Sequence, residues 1–253
     1  MENAQQAGGG QRGGFDAGQL KLLAIFGMTL DHIGIVFGPY LSLGWTVALY
    51  ALGGLTFPIM AFLMVEGYRY TTNLRRYILR MLLFGAAALL PFMWAFRTTT
   101  LNVMFTLALG CMGLYLYDHL KNRLLFALAF LGLILLSSFM DWPLMGVPMV
   151  LLYRVLKGKW KRLILPVLLP MGMMVTPAVT VLIHQPARLP GVLPSLAYAL
   201  IGCSLTIPLL ARYNGGRGRP MKYFFYAYYP LHLVVLVVIR GLLFQDWGGF
   251  LPF

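Results

Sequence analysis

Charge is scarce in this sequence, and acidic charge is the scarcest. Only 11% of the 253 residues are charged, and Asp and Glu together number 7 against 20 Lys and Arg. Soluble domains carry about 25% charged residues and about 45–50% apolar ones, whereas 60% of this chain is hydrophobic. The composition therefore excludes an ordinary soluble domain and predicts an integral membrane protein that lies in a lipid bilayer.

Cysteine is rare as well, and the histidines are widely spaced. Cys111 and Cys203 both lie inside apolar segments, which argues against a disulfide framework and is typical of small buried side chains. The four histidines match none of the usual zinc-ligand spacings, so we predict no metal site. The net charge of +13 comes from short loops between apolar runs. This placement indicates a topology signal and not a nucleic-acid partner.

Long apolar runs dominate what remains, and most are about as long as the roughly 20 residues an α-helix needs to cross a bilayer. They predict an all-α, polytopic transmembrane bundle of about nine spans (8–10). The bundle forms one domain over residues 18–253, after a disordered Gly-rich tail over residues 1–17. A short polar link at 137–143 leaves a re-entrant segment open as an alternative for the fifth or sixth span. The predicted spans are 18–38, 44–68, 76–97, 101–117, 123–140, 142–156, 162–184, 190–211 and 223–245.

Most of the 20 Lys and Arg residues fall on one side of this nine-span arrangement. Only Arg97, Arg188 and Arg240 fall on the other side. By the positive-inside rule, the N-terminus is predicted to be cytoplasmic and the C-terminus extracytoplasmic.

Ionisable residues inside predicted spans are the main functional signal, because each costs free energy in hydrocarbon unless something compensates. Asp31 and His32 lie in the first span, and His232 lies at a similar depth in the ninth. Lys21 precedes His32 by about three helical turns, so both point to one face about 16 Å apart. Asp31 is turned about 100° from His32, so its partner is expected on another helix. The alternative for each residue is a structural hydrogen bond between helices.

Further polar residues lie beside these candidates. Tyr228 and Tyr229 precede His232 by about one turn, and Asn102 and Thr106 share one face of the fourth span. Each pair is a candidate for binding a polar group of a substrate. Hydrogen bonding between helices explains Asn102 and Thr106 equally well.

The predicted cytoplasmic side offers cations for a phosphorylated ligand. Arg69, Arg75 and Arg76 follow the second span, and Lys21 lies near the same interface. Glu66 stands three residues before Arg69, a spacing that suits either a local ion pair or a place in the same site.

Four segments together resemble the TraX family, over about residues 18–240: 21–32 (KLLAIFGMTLDH), 55–71 (LTFPIMAFLMVEGYRYT), 101–110 (LNVMFTLALG) and 225–232 (FYAYYPLH). The resemblance implies a polytopic protein of the bacterial inner membrane, linked to N-terminal acetylation of conjugative pilin. One departure is Gly53-Gly54, which stands where a Gly-Arg pair is expected. A basic group is therefore missing here.

The relation of Lys21 to His32 is also similar to that in membrane-embedded acyltransferases, which move acetyl groups from cytoplasmic acetyl-CoA to acceptors outside. This second resemblance implies that acetyl-CoA binds at Lys21, Glu66, Arg69, Arg75 and Arg76. His32 is then a general base or an acyl carrier, and Asp31 orients a partner. His232, with Tyr228 or Tyr229, would stabilise an oxyanion. The acceptor is a pilin N-terminus, a sugar hydroxyl or an amine.

Two other classes of function stay open. A proton-coupled transporter would use Asp31, His32 and His232 as a relay, although the sequence shows no inverted pair of broken helices typical of many transporters. A non-catalytic assembly factor for surface appendages is the third possibility.

Overall fold

The computed structural model describes residues 13–219 and 221–248, apart from the side chains of Lys222 and Tyr223. The described residues form helices and no β-strand, which confirms the predicted all-α class. Short 3₁₀ turns lie at Gly38–Tyr40, Ser137–Phe139 and Pro186–Arg188, and a π-helical turn lies at Tyr198–Gly202. The α-helices are α1 (Ala17–Phe37), α2 (Leu43–Gly53), α3 (Thr56–Tyr70), α4 (Leu74–Ala87), α5 (Leu89–Phe96), α6 (Val103–His119), α7 (Arg123–Leu136), α8 (Gly146–Val155), α9 (Lys159–His184), α10 (Leu189–Ala197), α11 (Cys203–Ala211) and α12 (Lys222–Phe244).

The predicted disordered tail over residues 1–17 falls mainly on residues 1–12, which lie outside the described residues. Within the described part, Asp16 caps α1: its Oδ1 accepts from the Gln19 N–H at 2.8 Å, and its own N–H donates to Gln19 Oε1 at 3.0 Å. Phe15 donates its N–H to the Arg212 carbonyl and accepts from the Asn214 N–H, both at 2.9 Å. The start of α1 is thereby joined to the loop after α11.

Helical stretches long and apolar enough to cross a membrane number five in the described residues, or six if the bent pair α4–α5 is one span. They correspond to the first, second, third, seventh, eighth and ninth predicted spans. The other three predicted spans are shorter helices: α6 has 17 residues, α7 has 14 and α8 has 10. An α-helix of ten residues is only about 15 Å long. The span number of nine and the sidedness therefore stay predictions.

Proline explains the two breaks inside the longer stretches. Pro91 has no N–H to offer the Ala87 carbonyl one turn earlier, and α4 ends at Ala87 with a bend of 48° before α5. Pro58 likewise leaves the Gly54 carbonyl free between α2 and α3. That carbonyl accepts instead from Cys203 Sγ at 3.5 Å.

The π-helical turn packs directly against the α2–α3 break. A Cβ atom on Gly54 would lie 2.2 Å from the Tyr198 carbonyl oxygen, and one on Gly202 would lie 2.6 Å from the Gly54 Cα. No side chain fits at either position without a shift of backbone. The packing therefore requires glycine at position 54 of this chain.

Helix α3 lies at the centre of the bundle. It is buried on every face, with seven hydrophobic core residues between Phe57 and Val65, as expected of a helix that is apolar all round. Tyr153 of α8 packs edge-on against Phe62 of α3, at 5.6 Å between ring centroids. Helix α7, by contrast, has no buried residue and lies at the periphery.

The bundle has two distinct ends. At the basic end, where α1 begins and α3 finishes, Glu66 pairs with Arg162 and Asp118 pairs with Arg154. At the far end, where α1, α5 and α12 finish, Arg97 pairs with Asp246. The cavity described below lies between these two ends.

Candidate functional site

A small cavity of about 120 Å³ lies between α1, α3, α6 and α12, and the α7–α8 loop forms part of its wall. This volume is well below the roughly 300–1,000 Å³ of a pocket for a drug-sized ligand. It therefore admits the reacting end of a substrate and not a whole cofactor. Most of the lining is apolar, and the lining residues with polar atoms in their side chains are Asp31, His32, Thr56, Asp141, Trp142, Tyr198, Tyr226 and Tyr229.

His32 and His232 are in direct contact at this cavity. His32 Nδ1 lies 2.7 Å from His232 Nε2, and His232 Nδ1 lies 2.8 Å from the backbone carbonyl oxygen of Tyr228. Both imidazoles are buried, each with 7% of its surface exposed. Helices α1 and α12 therefore hold the two histidines side by side, at the similar depth that the sequence predicts.

The hydrogen bonds determine the tautomer of each neutral ring. A carbonyl oxygen only accepts, so Nδ1 of His232 carries the proton and Nε2 of His232 is the acceptor. Nδ1 of His32 must then donate to it, which leaves Nε2 of His32 without a proton. No hydrogen bond to that nitrogen occurs from the residues that the structure describes. His32 lines the cavity, and its Nε2 has a free lone pair that can accept a proton.

Aromatic rings fix the orientation of the two imidazoles. The His32 ring meets the Phe96 ring edge-on at 4.8 Å, and the Tyr228 ring stacks on His232 at 5.0 Å. The Tyr228 hydroxyl is bonded to Thr29 Oγ1 at 2.7 Å. Of the two predicted tyrosines, Tyr229 lines the cavity, and its buried hydroxyl donates to no acceptor among the described residues. Tyr228 contributes its carbonyl oxygen instead.

Asp31 faces the same cavity from α1. Its Oδ1 is buried and has no hydrogen-bond partner in the described part of the chain. A Cβ atom on Gly53 would lie 2.8 Å from that oxygen, so α2 packs tightly against the carboxylate, and Tyr50 of the same helix interacts with Asp31 electrostatically. The partner expected on another helix is not found for this oxygen. Its charged neighbour is a second carboxylate, Asp141, which interacts with it electrostatically.

Sequence reasoning missed Asp141, because it treats this residue only as a break between two spans. The Asp141 N–H donates to the Leu101 carbonyl at 2.7 Å, and the Trp142 N–H donates to Asp141 Oδ1 at 3.0 Å. Trp142 and Leu144 have φ of 60° and 62°, which is uncommon for residues with side chains. A constrained loop thus aims an acidic side chain into an apolar interior, and the Asp in the short polar link at 137–143 was the available signal.

Asn102 and Thr106 bond to the backbone of neighbouring elements and do not line the cavity. Asn102 donates to the Gly85 carbonyl at 2.7 Å and accepts from the Met104 N–H at 3.1 Å, which caps α6. Thr106 donates to the Asp141 carbonyl. The geometry therefore favours the alternative of hydrogen bonding between helices. It does not favour the prediction that Asn102 and Thr106 bind a polar group of the substrate.

Comparisons with known proteins identify the family of this chain. The family model described as TraX protein matches residues 16–240. The chain belongs to the TraX family. One relative is the probable fimbrial assembly protein FimC, serogroup H1, of Dichelobacter nodosus, 31% identical over 245 residues that cover 88% of this chain and 94% of that protein. No solved structure matches the chain.

In this TraX-family chain the predicted cofactor residues are spread over the basic end. Glu66 accepts from Arg69 Nη1 at 3.2 Å and from Arg162 Nη2 at 2.6 Å, so it lies in an ion-pair cluster. Arg75 and Arg76 are exposed in the first turn of α4. Sequence reasoning missed Arg162, because it lies 96 residues from Glu66 and no local pattern connects them.

Lys21 connects the basic end to the cavity. Its Nζ lies 5.8 Å from the centroid of the Phe225 ring, and Phe225 lines the cavity. A second, more open depression of about 440 Å³ is lined by Arg69, Arg154, Thr71 and Thr72, among others. The described residues include no group of three or more His, Cys, Asp or Glu that could hold a metal ion.

The segment after α12 is bonded to neighbouring elements at the far end. Asp246 accepts from the Tyr40 hydroxyl and from the Arg97 guanidinium, and Arg240 Nε donates to the Asp246 carbonyl at 3.1 Å. The hydrogen bond from Tyr40 and the nearby guanidinium groups lower the pKa of Asp246. Arg240 also donates to the Ala95 carbonyl at 3.3 Å, one residue before the Phe96 ring that contacts His32.

Proposed function

We propose that this protein is a membrane-embedded acetyltransferase that moves an acetyl group from cytoplasmic acetyl-CoA to an acceptor presented from the other side of the membrane. The observation that carries the proposal is the His32–His232 pair, whose hydrogen bonds leave Nε2 of His32 unprotonated at the cavity. A neutral imidazole in this state is a suitable general base.

The transfer step balances with His32 as the proton carrier. The acceptor N–H or O–H gives its proton to Nε2 of His32 while its nitrogen or oxygen attacks the thioester carbonyl carbon. The carbon–sulfur bond then breaks, and the proton passes to the leaving thiolate. His232 acts as a positioning residue, because it holds the tautomer that this step needs.

Binding of the donor is expected at the basic end. Arg69, Arg75 and Arg76 are cations at that surface and suit the phosphate groups of acetyl-CoA. Lys21 lies beside Phe225, at the boundary between this surface and the cavity, so the pantetheine arm is expected to pass along this side of α1. Glu66 holds Arg69 and Arg162 in place through its two ion pairs. We do not expect it to contact the phosphate groups.

The developing oxyanion needs a hydrogen-bond donor inside the cavity. The Tyr229 hydroxyl is the best candidate, since it is buried at the cavity and donates to no acceptor among the described residues. The family and the relative's name, a fimbrial assembly protein, suit a pilin N-terminus as the acceptor; a sugar hydroxyl or another amine is the alternative. We place the protein in the bacterial inner membrane.

Release of free CoA thiol by the purified protein tests the proposal. We expect thiol release from acetyl-CoA in the presence of an acceptor, and a loss of about 100-fold or more in His32→Ala, in line with the usual contribution of general base catalysis. His184→Ala is the matched control, since His184 is exposed and bonded to the Thr180 carbonyl in its own helix. Full activity in His32→Ala would end the proposal.

A proton-coupled transporter is the second candidate. The observation that favours it is the presence of Asp31 and Asp141 beside the histidine pair in one cavity, which are groups typical of intramembrane proton relays. Reconstituted liposomes separate the two candidates. Solute flux driven by a proton gradient, with no consumption of acetyl-CoA, would favour transport and contradict the acetyltransferase.

A further inference from the structure

The cavity is acidic in a chain that has almost no acidic residues. Of the 7 Asp and Glu in the sequence, two line this one cavity, and the lining contains no Lys or Arg. Asp31 and Asp141 come from different elements, α1 and the α7–α8 loop, and Asp31 Oδ1 is buried without a partner in the described residues. His32 also lines the cavity, but as a neutral imidazole in the tautomer described above, so no lining side chain balances the two carboxylates with a positive charge.

Two carboxylates that face one small, largely apolar space cannot both stay ionised without a cation, because burial and mutual repulsion both oppose the second charge. At most one negative charge is expected in the empty cavity, with a proton held by the other carboxylate. A single positive charge on a ligand balances that arrangement.

The aromatic residues of the same wall suit an organic cation. Trp142 stacks on Phe57 at 4.1 Å between ring centroids and lies 6.1 Å from the Tyr198 ring. All three residues line the cavity. Aromatic faces attract ammonium groups, and the attraction is stronger where water is excluded.

We propose that Asp141 and Asp31 form an ammonium subsite in the cavity that His32 also lines, and that this subsite selects acceptors by a primary amine and takes up the first proton that the amine must lose. This assignment rests on the proposed acetyl transfer. It makes Asp141 a specificity-determining residue of the reaction, and the substrate class is a small alkylammonium or α-ammonium group.

The subsite gives each proton of the amine a destination. A protonated amine cannot attack, so one proton first moves from nitrogen to the carboxylate pair, which leaves a neutral amine and a neutral carboxylic acid. The amine nitrogen then forms its bond to the thioester carbon, the second proton goes to Nε2 of His32, and the carbon–sulfur bond breaks. His32 passes that proton to the thiolate, and the carboxylic acid releases its proton to water.

Thermal unfolding of the full-length protein in detergent tests the subsite without acetyl-CoA. Ethylammonium chloride is compared with ethanol, at equal ionic strength set by sodium chloride. We expect ethylammonium to raise the unfolding midpoint by a few degrees through binding to the native state, and ethanol at the same concentration to give no such rise. Asp141→Asn and Asp31→Asn should lose the ethylammonium shift. Asp118→Asn, at the basic end, is the matched control and should keep it.

The outcomes separate this subsite from the proposed function. An ethylammonium shift that depends on Asp141, in a protein that never consumes acetyl-CoA, would support the subsite and contradict the acetyltransferase. An equal effect of ethanol, or a full shift in Asp141→Asn, would overturn the subsite even if acetyl transfer is found. If the variants fail to fold, the comparison of the two ligands on the unaltered protein decides. In an active protein, Asp141→Asn should lower acetylation of ethylamine relative to ethanol by about tenfold, which corresponds to about 1.4 kcal/mol.

Discussion

The Tyr228 carbonyl oxygen determines the protonation pattern of both imidazoles, although it touches only one of them. It accepts from His232 Nδ1 at 2.8 Å, and His232 Nε2 in turn takes the proton of His32 Nδ1. A backbone carbonyl oxygen accepts hydrogen bonds whatever side chain stands at position 228. The basic nitrogen of His32 is thus specified by the path of α12 and not by a neighbouring carboxylate.

At the same scale, sequence reasoning finds some site residues and misses others for a definite reason. His32 and His232 stand out because a titratable residue in an apolar helix is expensive. Asp141 lies in a loop, where an acidic residue is ordinarily solvated, and only the packing of Leu101 and Thr106 against it shows that it is inside. Contacts across long stretches of chain have no local signature.

Glu66 provides the residue-scale prediction. Its side chain is 12% exposed and accepts from two guanidinium groups, with Arg162 Nη2 at 2.6 Å. Glu66→Gln should lower the free energy of unfolding by about 2 kcal/mol, the usual value of a hydrogen bond to a charged group. Asp118→Asn is the control, since its pair with Arg154 is more exposed and is expected to contribute about 1 kcal/mol or less. Equal losses in denaturant titrations of both variants would contradict the ion-pair account.

At the scale of elements, hydropathy locates helical stretches well and their internal breaks poorly. The predicted span 76–97 covers α4 and α5 together, because the apolar run continues through the bend at Ala88. The missing N–H of Pro91 identifies that break in principle. The π-helical turn at Tyr198–Gly202 has no such signature in the sequence, because it is stabilised by close packing against the distant Gly54.

Gly54 provides the prediction at this scale. A Cβ there would lie 2.2 Å from the Tyr198 carbonyl oxygen, so Gly54→Ala must push α2–α3 away from the π-helical turn. We expect a loss of about 1–3 kcal/mol in unfolding free energy, as for other overpacked sites. Gly172→Ala, in α9, meets nothing within 4 Å and should stabilise the protein by about 0.5–1 kcal/mol. Thermal unfolding of the two variants in detergent gives the comparison, and a destabilised Gly172→Ala with an unchanged Gly54→Ala would refute the packing argument.

For the whole molecule, the two-ended charge distribution suits the direction of the proposed transfer. The cations that suit acetyl-CoA lie at the basic end, whereas Arg97 and Arg240 at the far end are paired with Asp246. The sequence predicts this sidedness, since almost all Lys and Arg follow the positive-inside rule. It does not determine how many of the short helices α6, α7 and α8 cross the membrane, because their length is below that of a full span.

Cysteine labelling tests both the sidedness and the number of spans. The two native cysteines, Cys111 and Cys203, are buried, so single cysteines at exposed positions report alone to a membrane-impermeant maleimide. We expect Arg188→Cys to react in intact bacteria and Lys121→Cys to react only after the membrane is opened. Ser138→Cys, exposed at the end of α7, decides the fifth span: labelling from outside shows that α7 crosses. Protection of Ser138→Cys in intact cells, with Arg188→Cys labelled, would show that α7 and α8 form a re-entrant hairpin and that nine spans is wrong.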